Sequence, residues 1–244
     1  DALVAHGGTV VSKNKLIEND PVQSPYRGFV AGRWDHVVGT NANLSEAFVK
    51  MPDQSETINR AILLSGRADT NWFHWLFEYL PRLLQLEDKI PQNVPVLISE
   101  ETVAAGIEAL SIISDREIVT TKRQESIFVS ELVVPGPSLY HPDSTLIPWD
   151  RGTSLDFDAI DKIRERIHSH FETGVAPTRK IYWRRDSTHR NIENQDEIIN
   201  ALVKEGFEVI QPEGLTLSEQ FEIFNSAKIV ISAMGAMTPN FLFR

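Results

Sequence analysis

Residues 181–232 read IYWRRDSTHRNIENQDEIINALVKEGFEVIQPEGLTLSEQFEIFNSAKIVIS. Ile181 to Trp183 is a short apolar run with strand composition. Asn194 is followed three residues later by Glu197, the spacing of a capping box, in which each side chain satisfies a free backbone N–H of the first turn. That spacing predicts a helix through Val203. Phe207 to Ile210 is again strand-like. Thr216 and Glu219 repeat the capping-box spacing before a helix to Phe224. Lys228 to Ser232 closes the series as a third strand. A β-α-β-α-β order is half of a doubly wound parallel sheet.

The same alternation extends upstream. Ala61 to Leu64 is a short apolar run, and Asn71 to Asp88 has helical length. Val94 to Ser99 reads as a buried strand and Glu101 to Ile113 as an amphipathic helix. Ile118 to Thr121 and Ile127 to Val134 read as two further strands. The first 60 residues are less periodic. Gly7-Gly8 before Thr9-Val10-Val11, and Phe29-Val30-Ala31 before Gly32, suggest short strands and turns. Pro135-Gly136-Pro137 opens a loop-rich stretch through Pro142 and Pro148 to Gly152, the best place for a domain boundary. The chain therefore divides into an N-terminal α/β domain, residues 1–150, and a C-terminal Rossmann-like domain, residues 151–244. In the second, Phe157, Ile160, Ile163 and Ile167 have helical spacing.

Composition narrows the function classes. With 244 residues, 41% of them hydrophobic, the chain can bury a substantial core. It has no cysteine, which excludes a disulfide framework, a zinc ribbon and a thiol nucleophile. Its net charge of -10 argues against a general nucleic-acid surface. No apolar run reaches the length of a membrane-spanning helix, and no signal peptide opens the chain at Asp1. A cytoplasmic location is expected, with peripheral membrane or homo-oligomer association left open.

Asn71-Trp-Phe-His-Trp-Leu-Phe-Glu-Tyr-Leu-Pro-Arg82 is apolar almost all round, the mark of a buried helix. Yet His74, Glu78 and Arg82 recur at intervals of four, with Asn71 three before His74, so all four share one face. Two readings stand. The stripe satisfies itself, Glu78 pairing with Arg82 and His74. Alternatively it lines a cleft, where His74 or Glu78 is a general base oriented by Arg82. Pro81 removes a helix hydrogen bond and predicts a kink that could take Arg82 off the stripe.

A second cluster is basic within an acidic chain: Arg179, Lys180, Arg184, Arg185, His189 and Arg190. Arginine presents a fork of donors that fits phosphate, and ligands of open α/β sheets collect beyond the carboxyl ends of strands. A bound anion or a solvated basic turn would each account for it. Asn194 is read as a cap before a ligand. Ser232-Ala-Met-Gly-Ala-Met-Thr-Pro-Asn240 is a small-residue turn that lets a phosphate approach backbone N–H groups. There is no G-x-G-x-x-G, no P-loop lysine motif and no G-x-S-x-G. Asp156-Phe-Asp158 has the form of a D-x-D metal motif, but it falls in the first turn of a helix with Ser154 as the expected cap, where acids favour the helix dipole. His168 and His170 do not share a face and are expected at the surface.

These pieces together resemble glycosyltransferase family 61, whose members include plant xylosyl- and arabinosyltransferases, O-linked N-acetylglucosaminyltransferases and bacterial capsular polysaccharide proteins. Residues 71–83 are similar to its N-x-x-H-W-x-x-E-x-L-P-R-L segment. Ile181-Tyr-Trp-Arg-Arg185 resembles its Y-x-x-R strand, and Arg190-x-Ile-x-Asn194-x-x-Glu197 its R-x-I-x-N-E-x-E stretch. Gly206-Phe-Glu-Val209, Pro212-Glu213 and Glu219-Gln220 follow in register. Ile229 to Phe243 resembles the closing G-x-H-G-A-G-L-x-N-x-x-F. The resemblance implies a GT-B-like arrangement of two Rossmann-like domains and inversion at the anomeric carbon. It also implies a nucleotide-sugar donor and a glycan or polysaccharide acceptor, with no cofactor and no metal. It points to His74, Glu78 and Arg82 as catalytic, with Asn71 beside them in the cleft. The donor would meet Arg185, Arg190, Asn194, Glu197, Met234, Gly235, Ala236 and Asn240.

There are departures. Met234 stands where the family has histidine, Ser232 where it has glycine, and Met237 where it has its second glycine. A thioether is only a weak acceptor. Relatives usually continue past the position of Arg244, so either the chain is a fragment or its donor half is reduced. A non-catalytic relative that binds a glycan or a nucleotide sugar is the alternative reading.

Overall fold

The structure is a computed structural model that describes the chain except residues 18–21, 25–27, 31–35, 41–45, 67, 141–153, 172–173, 175, 186–191, 234 and 236. The chain opens with strands Ala2–Ala5 (β1), Thr9–Ser12 (β2) and Lys15–Ile17 (β3). A tight turn at His6–Gly8 joins the first two, with Gly7 and Gly8 at φ of 69° and 75°. A Cβ on Gly8 would stand 2.6 Å from the Ser65 carbonyl oxygen, so the turn requires glycine for space as well as for its backbone angle. Two short antiparallel pairs follow, Val22–Ser24 (β4) with Gly28–Val30 (β5), and Val37–Thr40 (β6) with Ala47–Val49 (β7).

Asp53–Leu63 (β8), Val96–Ser99 (β9), Ile118–Thr121 (β10) and Glu125–Val133 (β11) complete a seven-stranded sheet in the order β10-β9-β8-β11-β1-β2-β3. Its first four strands are mutually parallel, and β1, β2 and β3 join antiparallel. The apolar run Ala61 to Leu64 covers only the buried end of β8 and the residue after it. The preceding residues are polar and mostly exposed, so their strand character lies in backbone pairing with β11 and leaves no apolar alternation to read.

Between β8 and β9 a helix runs from Trp72–His74 (α1) through a π-turn at Trp75–Tyr79 into Leu80–Leu84 (α2). The Leu80 N–H bonds the Trp75 carbonyl, five residues back. This wider turn comes just before Pro81, which has no N–H to give. The helix continues, and Arg82 stays on the stripe. Ala104–Ile113 (α3) joins β9 to β10. Leu139–Tyr140 (β12) pairs with Ser154–Leu155 (β13), on either side of the expected boundary loop, whose residues 141–153 lie outside those described.

Phe157–His170 (α4) is capped by Asp156, whose carboxylate accepts the Ala159 N–H at 3.1 Å, in place of the expected Ser154. His168, expected at the surface, is half-buried: it contacts the Leu242 carbonyl at 3.0 Å and the Phe221 ring, while His170 is exposed. Arg179–Trp183 (β14), Gln195–Lys204 (α5), Glu208–Ile210 (β15), Leu217–Ser226 (α6) and Ala227–Ser232 (β16) then give the expected β-α-β-α-β, with an all-parallel sheet in the order β15-β14-β16. The Thr216–Glu219 capping box forms. Asn194 precedes α5 but makes no side-chain cap.

The fold is thus α/β, with one large mixed sheet and one smaller parallel sheet. One apolar cluster joins them: Ile62, Leu64, Trp75 and Leu110 pack in the same core as Ile163, Trp183, Phe224 and Phe243. Among the described residues no helix is long and apolar enough to cross a membrane.

Candidate functional site

Trp183 at the end of β14 is in register with Ile210 of β15 and Ser232 of β16. All three strands therefore finish at one edge. The residues that leave them there, Arg184 and Arg185, Pro212 and Glu213, and Ala233 and Gly235, line a cavity of about 300 Å³. That is the low end of the range for small-molecule sites, at the place where parallel sheets collect ligands.

The opposite wall comes from the other half of the chain. Trp72 of α1 and the start of α3, Val103 and Ala105, face the same space. Val103 occupies the position before α3 and offers no capping side chain. A helix start carries free N–H groups and the positive end of the dipole, so it favours an anion. Two guanidinium groups and this helix start border one cavity, together with the Glu213 carboxylate. A Cβ on Gly235 would lie 3.0 Å from Arg185 Nη1, so glycine lets that arginine lie close against the turn. The Arg185 backbone N–H reaches Gln195 Oε1 at 3.4 Å, and the same oxygen accepts the Tyr182 hydroxyl at 3.2 Å.

The basic cluster is divided by the strand it sits on. Arg179, at the start of β14, forks onto Glu208 at 2.7–3.2 Å and reaches Ser226 Oγ at 3.3 Å. Hydrogen bonding from Arg179 holds the Glu208 carboxyl below its usual range. Lys180 donates to the Glu205 carbonyl at 3.0 Å and lies over the Phe207 ring. These two cations serve the fold, and the cations at the other end of the strand face the cavity.

A buried network closes the floor. Trp72 Nε1–H donates to Asn240 Oδ1, the Asn240 amide donates to Gln220 Oε1 at 2.8 Å, and Gln220 donates to the Leu215 carbonyl at 3.1 Å. Across the same seam the Glu108 carboxylate of α3 accepts the Leu217 N–H, the first of α6, at 2.8 Å. The cavity is thus a joint product of residues separated by up to 168 positions.

Within the polar stripe the side chains of His74, Glu78 and Arg82 pair with one another. Glu78, 1% exposed, binds Arg82 through Oε1 and stands 2.6 Å from His74 Nδ1 through Oε2. Arg82 also lies over the Tyr79 ring. His74, at 23% side-chain exposure, is the accessible member of the three. Asn71 is exposed and caps α1, accepting the Phe73 N–H at 2.9 Å.

A family model for glycosyltransferase 61 matches residues 72–244. The chain belongs to glycosyltransferase family 61. No curated protein matches it. The family segment includes the whole stripe beyond Asn71 and every residue of the cavity. Family membership makes the chain a glycosyltransferase-type protein, for which a nucleotide-sugar donor and a glycan acceptor are the implied partners.

In this family 61 chain the structure gathers Arg185, Gly235 and Asn240 at one site. Asn240 is fully buried, and its amide oxygen and nitrogen are both engaged in the floor network, so it forms wall. Asn194 and Glu197 sit at the start of α5 and do not line the cavity; Gln195 between them supports Arg185 instead. His74, Glu78, Arg82 and Asn71 are likewise not among its lining residues. Arg190, Met234 and Ala236 lie outside the described residues. Sequence reasoning missed Trp72, Val103, Ala105, Trp183 and Glu213. One signal was readable, a helix start with valine where a capping residue belongs.

Proposed function

We propose that this protein is an inverting, GT-B-like glycosyltransferase that moves a sugar from a nucleotide-sugar donor to a glycan or polysaccharide acceptor without a metal ion. The observation that carries this is the shared cavity, where Arg184, Arg185 and the uncapped start of α3 meet at the carboxyl ends of β14, β15 and β16. In an inverting step the acceptor oxygen attacks the anomeric carbon opposite the leaving group. The bond from that carbon to the diphosphate oxygen breaks, and negative charge grows on the diphosphate. Fixed donors aimed at that charge lower the barrier because they need no reorganisation. Trp72 and Trp183 supply apolar wall for the nucleoside. Asp156, the first acid of the D-x-D form, is occupied as a helix cap and by Gln85 at 3.4 Å, which supports the metal-free reading.

His74 is the base we assign. Glu78 fixes its Nδ1 side, and Arg82 fixes Glu78, the arrangement of a base oriented by a second group. The test is calorimetry with nucleoside diphosphates together with transfer of labelled donor. Arg185→Ala should weaken nucleoside diphosphate binding by about 1.5–3 kcal/mol, the range for a hydrogen bond to a charged group. His74→Ala should abolish transfer and spare binding. Unchanged affinity in a folded Arg185→Ala protein would remove the donor site from this cavity. The second reading is a non-catalytic family 61 protein that binds donor or glycan. Two features favour it: none of the stripe's residues is among the cavity's lining, and methionine stands at position 234. Donor binding without transfer by the unaltered chain would establish it.

A further inference from the structure

α5 has one buried residue, and it is an amide. The rest of the helix is half-buried or exposed, its apolar residues Ile198, Ile199, Leu202 and Val203 included. Gln195, the first residue of the helix, is 8% exposed. Burying an amide is costly unless its polar atoms are used. Its Oε1 accepts from two groups of the neighbouring strand and its exit. One is the hydroxyl of Tyr182, a buried residue of β14, at 3.2 Å, and the other is the Arg185 backbone N–H at 3.4 Å. The second contact falls where the sheet runs out. The Arg184 N–H still meets a strand carbonyl, that of Ile210 in β15, at 3.0 Å. The next N–H along the chain, that of Arg185, meets the Gln195 side chain instead. A side chain of α5 thus takes over from strand pairing at the residue whose guanidinium borders the cavity and lies against Gly235. A guanidinium on a fixed backbone needs less ordering to meet a phosphate than one on a free loop, so fixing it raises affinity.

We propose that Gln195 is the positioning residue for Arg185. It fixes the exit of β14 so that the guanidinium is already in place for the donor diphosphate, and the Tyr182 hydroxyl anchors the amide that does so. This rests on the donor site assigned above.

The experiment is calorimetry of the full chain with uridine, cytidine, guanosine and adenosine diphosphates. It is run on the unaltered protein, on Gln195→Met, Tyr182→Phe and Arg185→Ala, and on each of the first two combined with Arg185→Ala. Gln195→Met keeps an unbranched side chain and removes the amide. Tyr182→Phe keeps the buried ring and removes one hydroxyl. For the nucleotide that binds, Gln195→Met should weaken affinity about three- to tenfold, the worth of one net hydrogen bond. Tyr182→Phe should weaken it in the same direction by less, and Arg185→Ala by about tenfold or more. In the Arg185→Ala background neither change should have a further effect, because a side chain that acts through Arg185 has nothing left to place. Unchanged affinity in the folded single variants overturns the proposal and spares the donor site. So does a loss of the same factor with and without Arg185, which a purely structural role in the core would give. If Gln195→Met fails to fold, Tyr182→Phe decides by the same two criteria. Binding of none of the set, or no effect of Arg185→Ala, removes the donor site itself and the positioning role with it.

Discussion

Replacing Glu78 by alanine tests the stripe most directly. Its carboxylate is 1% exposed and is the partner of Arg82, whose side chain is 4% exposed. Removing it takes from the buried guanidinium the carboxylate it binds beside Tyr79. Breaking a buried pair from one side costs about 3–5 kcal/mol. His74 adds less, because its exposed edge can turn to water. A domain has roughly 5–15 kcal/mol of stability in total, so the loss is a large share of it. For a chain of this size about 2–4 °C accompanies each kcal/mol, so Tm should fall by roughly 6–20 °C. The assay is thermal or urea unfolding of the unaltered chain, Glu78→Ala, Arg82→Met and the double variant Glu78→Leu/Arg82→Met. Removing both members takes the pair away together, so the double variant should be more stable than either single one. A loss below about 1 kcal/mol in Glu78→Ala, or a double variant whose loss equals the sum of the singles, would refute the coupled buried pair.

Other outcomes follow from the same geometry. Trp72→Phe keeps most of the apolar volume but leaves the fully buried Asn240 oxygen without its donor, so unfolding in urea should show a loss of about 1–3 kcal/mol. The Arg179–Glu208 pair is half exposed and worth only a few tenths of a kcal/mol. Its pH dependence has a definite sign. The Glu208 carboxyl lies lower in the folded chain than in the unfolded one, so its contribution is complete above the unfolded value of about 4.3 and is lost as pH falls through the folded value. The stability gap between the unaltered chain and Glu208→Gln should therefore be present at neutral pH and vanish in acid unfolding titrations. Chelator should leave donor binding and transfer unchanged. Loss of both on chelation, with recovery on adding manganese, would end the metal-free mechanism.

Short-range rules make much of this protein legible in its sequence. Capping spacing places α6, and period and strand composition place β9, β10, β14, β15 and β16, because these depend on residues a few positions apart. The same local logic puts Arg185 and Gly235 at strand ends where a ligand would sit. It goes astray where one neighbour competes with another. Asp156 caps α4 ahead of Ser154, and Asn194 leaves α5 without a side-chain cap. The exposed half of β8 carries no apolar pattern at all.

Tertiary structure decided the rest. Only packing brings Trp72 to Asn240 and the start of α3 opposite Arg184 and Arg185, since no spacing rule links positions so far apart. Only packing separates Arg179 and Lys180, tied to acidic and carbonyl partners at one end of β14, from the arginines at the other end. The stripe shows the division within one helix. The sequence by itself put His74, Glu78 and Arg82 on one face. Burial in the shared core then turned that face inward, where each charge is stable only with its partner, and this left Trp72 of the same helix to line the cavity.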